Sequence, residues 1–210
     1  MAAPLLPHRY TPEEYLAHER QAAYKSEYLA GQIVAMSGVS RAHSLINTNL
    51  AWVLSSQLRD RPCEVHASDM RVKVTAQGLY TYPDIAVVCG PAQWEDAQVD
   101  TLLNPTLIVE VLSPSTEAYD RGAKFGYYRA LPSLQEYLLV AQDKVLVEHF
   151  VRAGDGWLLT ATTDLGAVVS LPAIGCAVPL AEIYHQVGVL ATPDAAPPPP
   201  SPAGAGAPST

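Results

Sequence analysis

No stretch of this chain approaches the roughly 20 consecutive apolar residues that a membrane-crossing helix needs. Its apolar runs are as short as Ile85–Cys89. The N-terminus carries no long apolar segment either, so export is not expected and the cytoplasm is the expected compartment. Cysteine is scarce. Cys63, Cys89 and Cys176 stand far apart with no CxxC pair, so neither a disulfide framework nor a zinc ribbon is expected. Each is read as a small buried hydrophobe in a reducing compartment. Positive charge is also short: 13 Lys and Arg against 21 Asp and Glu leave −8 over 210 residues. Bulk attraction cannot hold a nucleic acid on such a chain; a local basic groove or a bound cation must offset the repulsion. The histidines form no HExxH pattern, Ser113 and Ser115 lie in no G-x-S-x-G elbow, and no Walker or dinucleotide fingerprint is present. These absences argue against zinc-peptidase, serine-hydrolase and nucleotide-binding readings.

What is present suits a packed globular unit, with 49% apolar and 16% charged residues. The last twenty residues, Ala191–Thr210, are almost only Ala, Pro, Gly, Ser and Thr. Such a composition cannot bury a core. The expected division is an N-terminal extension over 1–8, a folded domain over 9–188 and a disordered tail over 189–210. Thr11-Pro12-Glu13-Glu14 predicts a capped helix start, the helix running to about Tyr24. Ser26–Leu29 and Gln32–Met36 around Ala30-Gly31 predict a hairpin. Ser40 precedes a second helix, with Leu45, Ile46, Leu50, Val53, Leu54 and Leu58 at helical spacing. Strands are predicted over Glu64–Ser68, Arg71–Thr75, Tyr80–Cys89 and Thr106–Leu112. A helix follows to Arg129. Strands over Glu136–Ala141, Val145–Arg152 and Trp157–Thr162 come next, and Pro179 opens a helix to about Val187. This order predicts an α/β (α+β) domain around a central mixed sheet flanked by helices.

Two carboxylates stand where an ordinary core would not put them: Asp84 in Tyr82-Pro83-Asp84-Ile85-Ala86-Val87-Val88, and Glu110 in Leu107-Ile108-Val109-Glu110-Val111-Leu112. An ionised carboxylate in an apolar strand is costly unless a cation or donors meet it. On neighbouring strands the pair can share one Mg²⁺ or Mn²⁺, a hard ion that activates water against a phosphodiester. The bland alternative is a solvated strand end. Lys124 has two equal readings by spacing: an ammonium returned to the two acids, or an exposed i, i+4 partner of Asp120. Like charges sharing a buried site predict that one carboxyl has a raised pKa.

Tyr82-Pro83-Asp84, Glu110-Val111-Leu112-Ser113-Pro114-Ser115-Thr116, Tyr119-Asp120-Arg121-Gly122-Ala123-Lys124 and Gln135-Glu136-Tyr137-Leu138-Leu139-Val140 resemble the Uma-type family, restriction-endonuclease-like proteins of the PD-(D/E)XK nuclease superfamily. Arg9-Tyr10-Thr11 through Tyr15, Lys25-Ser26-Glu27-Tyr28 with Gly31, and Ser37-Gly38 with His43 extend the likeness over about residues 9–187. The resemblance implies a restriction-endonuclease-like core and a one- or two-metal phosphodiesterase centre. Asp84 and Glu110 match its acidic motif residues, and Glu27 an additional metal ligand. Leu112 stands where the superfamily has lysine, and Lys124 matches the migrated lysine. His43 matches a family position; it reads as an auxiliary contact to phosphate or to the acids, or as a satisfied structural histidine. Gln135 reads as an auxiliary site residue or an exposed strand start.

The resulting expectation is a Mg²⁺- or Mn²⁺-dependent endonuclease with Asp84, Glu110 and Lys124 catalytic. The resemblance favours DNA, although the residues themselves do not separate DNA from RNA. The alternative is a nuclease-fold binding or regulatory protein, motivated by Leu112 and the charge of −8. Arg71, Lys73, Arg121, Lys124 and Arg129 are candidates for a basic strip, or simply a solvated face. Tyr127, Tyr128 and Trp94 are candidates for base stacking or core packing. A homodimer is expected by analogy with nucleases that cut both strands.

Overall fold

In the computed structural model, residues 8–74 and 78–188 are described. The expected tail, most of the N-terminal extension and Thr75 lie outside them. Thr11 caps helix α1 (Pro12–Glu19) in a reciprocal capping box with Glu14. The helix stops well before the expected Tyr24. The Gln21 N–H turns back onto the His18 carbonyl, and the Glu19 carboxylate accepts from the Ser26 backbone, tying the chain into the next strand. Strands β1 (Ser26–Leu29) and β2 (Gln32–Ala35) form the expected hairpin. Both turn residues, Ala30 and Gly31, have positive φ, as the tight turns that suit twisted strands require. Ser40 caps α2 (Arg41–Leu58) by accepting from the His43 N–H.

Strands β3 (Cys63–Ala67), β4 (Arg71–Val74), β5 (Leu79–Thr81) and β6 (Ile85–Cys89) follow. The single strand expected over Tyr80–Cys89 is therefore two, split at Tyr82-Pro83-Asp84. Pro83 has no N–H for a ladder, and the halves belong to different sheets. After the short β7 (Thr101–Leu102) comes β8 (Leu107–Leu112), then a helical crossover. That crossover is not the uniform α-helix expected. It comprises α3 (Glu117–Tyr119), a π-helical turn over Asp120–Lys124, and α4 (Phe125–Tyr128). Strands β9 (Glu136–Ala141), β10 (Val147–Ala153) and β11 (Gly156–Thr162) are close to expectation. The hairpin β12 (Val168–Leu171) and β13 (Cys176–Pro179) was not anticipated, and α5 (Leu180–Ile183) is shorter than expected.

One sheet has the order β11-β10-β9-β8-β6-β3, a second the order β2-β1-β5-β4-β7. In the first, only β8 and β9 are parallel, as a helical crossover demands. Alternation on β8 sends Leu107, Val109 and Val111 to a core with α2, α5 and the β12–β13 hairpin. It sends Ile108 and Leu112 to a core with α4 and the second sheet. Glu110 shares that second face by parity. The fold is thus the expected mixed α+β architecture of sheets flanked by helices.

The reading of all three cysteines as free thiols needs correction. Cys63 and Cys89 are direct partners in the β3–β6 register and form a disulfide. Only Cys176 is a free, buried thiol. Sequence spacing does not show this pair, because antiparallel registry creates it.

Candidate active site

Registry places the first acid. Ile85 pairs with Val109 across β6 and β8, so the same register carried one residue further sets Asp84 opposite Glu110. Pro83 has ended the preceding strand, and the Asp84 side chain replaces the missing ladder bond. Its Oδ2 accepts from the Val111 N–H at 2.7 Å. Its Oδ1 lies 2.7 Å from Nε2 of His43, in the first turn of α2. His43 is buried and hydrogen-bonded to the acid, so the auxiliary and structural readings of this residue coincide.

Glu110 is 4% exposed. Its Oε1 accepts from the Tyr128 hydroxyl at 2.8 Å and lies 2.9 Å from Lys124 Nζ. The same ammonium reaches Glu27 Oε1 at 3.3 Å and Asp120 Oδ1 at 3.5 Å. Glu27 also accepts from the Thr81 hydroxyl of the adjoining strand β5. Of the two readings of Lys124, the structure therefore contains both partners and overturns only the exposure: Lys124 is 6% exposed and Asp120 is 3% exposed. The π-helical turn runs from Asp120 to Lys124, and Tyr128 lies one turn further on. A turn of this kind is frequent at functional positions. Sequence spacing offers Asp120 only as an i, i+4 partner of Lys124, and Tyr128 only as a stacking or core residue. The signal that could have found them is the spacing Asp120, Lys124, Tyr128 on one helix face.

Three carboxylates, Glu110, Glu27 and Asp120, thus surround one ammonium. Burial pushes the Glu110 carboxyl up to about 8, with Asp120 and Asp84 adding to the shift and Lys124 opposing it. This is the raised carboxyl that sharing a buried site implies. Burial also raises Asp120. On Lys124 burial acts in the lowering direction, but Glu110, Glu27 and Asp120 outweigh it and the net shift is well upward. Lys124 is therefore a charged donor at neutral pH.

These groups line a cavity of about 630 Å³. Glu27, His43, Asp84, Glu110, Asp120 and Lys124 all face it. Gln135 does not: its amide donates to the Pro132 and Ser133 carbonyls of its own turn. It precedes β9 at the end where Glu136 pairs with Leu107, away from Glu110, which pairs with Leu139. The proposed basic strip is not a common surface. Arg71 is buried against Thr101, Tyr82 and Asp100. Lys73 is paired with Glu95, and Arg121 with Glu117 and Glu148. Asp69 pairs with Lys25. Tyr128 is fully buried, which removes it from base stacking.

Among the described residues, no three His, Cys, Asp or Glu side chains stand as a finished metal site. The donor chemistry nevertheless suits a hard divalent cation. Asp84 and Glu110 offer carboxylate oxygens to one cavity, and burial, with Asp120 and Asp84 adding to it, raises Glu110. Mg²⁺ commonly takes one or two protein carboxylates and completes its shell with water and substrate phosphate.

Sheet order and the helical crossover define a mixed α+β fold with a buried acid–lysine cluster at its centre. A crystal structure from Anabaena variabilis ATCC 29413, described as a putative nuclease belonging to DUF820, superposes with a TM-score of 0.70 at 18% identity, covering 85% of this chain and 99% of that one. The chain belongs to the Uma2 family, described as "Putative restriction endonuclease", whose model matches residues 12–181. Two relatives come from Synechocystis sp. (strain ATCC 27184 / PCC 6803 / Kazusa). Uncharacterized protein sll1609 is 42% identical over 151 residues, covering 71% of this chain and 85% of that relative. Uncharacterized protein slr1290 is 39% identical over 177 residues, covering 84% and 92%.

Proposed function

We propose that this chain is a Mg²⁺- or Mn²⁺-dependent endonuclease that hydrolyses phosphodiester bonds of nucleic acid, with DNA as the substrate. The observation that carries the reading is the convergence of Asp84, Glu110 and Lys124 in one cavity, with Lys124 Nζ 2.9 Å from Glu110 Oε1. Three elements that are separate in sequence supply the two acids and the lysine that such hydrolysis needs. The family description supports the same class.

Asp84 and Glu110 would hold the cation, with Glu27 as a further ligand. A bound divalent ion supplies an activated water and offsets charge on the phosphoryl oxygens. The protein's own groups do the rest. His43 and the Val111 N–H fix both oxygens of Asp84. Tyr128 fixes Glu110 from the side of the helix. Lys124, held charged by its three acidic neighbours, acts as a hydrogen-bond donor that orients water and stabilises charge developing on the phosphate. It does not act as a base. The test is cleavage of plasmid and oligonucleotide substrates with Mg²⁺ or Mn²⁺, wild type beside Asp84→Asn. Metal-dependent cleavage lost in the variant supports the reading. Equal cleavage by both proteins overturns it.

A further inference from the structure

The geometry points to an unpaired strand, not a duplex, as the substrate that enters this site; the inference rests on the nuclease reading above. The reacting groups are deep. Glu110 is 4% and Lys124 6% exposed, so a phosphodiester must travel into the cavity to meet them. A volume of about 630 Å³ is that of a pocket for a small ligand and is consistent with one or two nucleotides. Only a phosphate on a flexible single strand can follow its base and sugar into such a space. A phosphate on a duplex is tied to paired neighbours, and reaching in requires the nucleotide to leave the stack.

The walls agree with the depth. Leu29, Val34, Met36 and Val39, from the β1–β2 hairpin and the segment after it, line one side. Val34 and Val39 are 58% and 61% exposed, apolar surface open to a planar base. Ser113, Ser115 and Thr116 line another side with hydroxyls, neutral donors for sugar or phosphate oxygens. Lys124 is the only Lys or Arg among the described residues lining the cavity. Holding a duplex takes a row of Lys and Arg on successive phosphates. Here Arg20, Lys25, Arg71, Lys73 and Arg121 are all engaged by Asp or Glu. A chain of charge −8 whose apolar-walled, acid-floored pocket is lined by a single Lys and no Arg is better equipped there to hold an unpaired base than a duplex backbone.

The experiment compares one DNA sequence in three forms, single-stranded, fully duplex, and duplex with an unpaired internal segment, each at equal concentration with Mn²⁺ and with Mg²⁺. A single-stranded RNA of the same sequence is added as a fourth substrate. Unpaired DNA or RNA is expected to be cut at least about tenfold faster than duplex, with cuts in the internal loop confined to the loop, because a paired nucleotide must first leave its stack. A second measurement uses Val34→Asp with Val39→Asp, exposed positions whose change spares the core. This variant is expected to lose about tenfold or more in kcat/KM on the single strand and to keep its unfolding midpoint. Duplex cut as fast as single strand, or an aspartate pair without effect, overturns this inference alone. No cleavage of any form overturns the nuclease reading and this inference with it.

Discussion

Lys124 Nζ sits 2.9 Å from Glu110 Oε1, and both side chains are almost wholly buried. The lysine comes from a π-helical turn and the glutamate from the central parallel pair of strands. The ammonium is not stable there without its acidic neighbours, because an isolated buried charge is expensive. Replacing Lys124 by Met should therefore do two things. It should lower the unfolding free energy by about 3–5 kcal/mol, as removal of one member of a buried pair does. It should also abolish cleavage. Chemical denaturation beside an activity assay checks both. A variant as stable as wild type would mean that the acids are solvated.

The two motif acids should separate stability from activity. Asp84→Asn and Glu110→Gln are expected to reduce cleavage by about 10²–10³-fold or more, the scale of removing one preorganised electrostatic partner. Neither should lower the melting temperature substantially, since each amide keeps an oxygen acceptor for its partners and Glu110, protonated below about pH 8 in the metal-free protein, has no charge to lose there. Retained activity in either variant would displace that residue from the site.

The pH dependence of stability has a definite sign. Glu110 is pushed from its ordinary 4.5 up to about 8. Between those values the folded chain keeps a proton that the unfolded chain has released. Stability from this group is thus complete below about 4.5 and declines as pH rises to about 8. Metal-free wild type should lose up to a few kcal/mol across that window, at about 1.4 kcal/mol per pKa unit. Glu110→Gln should not show this loss, and saturating Mg²⁺ should reduce it, because the metal binds the ionised form. Denaturant titrations at several pH values give the answer. Parallel profiles for wild type and variant would be the contrary result.

His43 acts on the site through Asp84, 2.7 Å away. On the proposed reading it is a positioning residue, and its loss should weaken metal binding rather than remove the chemistry. His43→Ala is expected to bind Mn²⁺ about 10–100-fold less tightly by calorimetry, the usual scale for a group that orients a ligand. Restored affinity in His43→Asn or His43→Gln would identify the hydrogen bond as the cause. Wild-type affinity in His43→Ala would assign the residue to packing.

The thiol count tests the β3–β6 bridge. Denatured without reductant, the chain should release one reactive thiol, Cys176, and after reduction three. The bridge should add about 3 kcal/mol to stability, the chain-entropy scale for a loop of this size. Three thiols without reductant would mean that Cys63 and Cys89 face each other reduced.

Much of the fold was legible because its causes are local. Capping residues at Thr11 and Ser40, the turn at Ala30-Gly31, and the periodicity of α2 all act within a few residues. Boundaries failed where a distant partner intervenes. Glu19 reaching Ser26 ends α1 early, and the β12–β13 hairpin is defined by packing on α2 rather than by its own pattern.

The site divides the same way. Asp84 after a proline and Glu110 inside an apolar strand are conspicuous in the sequence alone, because burying a carboxylate is costly wherever the strand lies. So is the surplus of negative charge that turns attention to a cation. Tertiary structure alone decided the rest. Lys124 was balanced between solvent and site until the π-helical turn set its direction. Gln135 fell away because β9 begins at the far end of the sheet. Cys63 met Cys89, His43 met Asp84, and Arg71 and Lys73 turned to acids rather than outward. Each outcome depends on strand register and helix phase. Those are fixed by the packing of the whole core, so no local spacing encodes them.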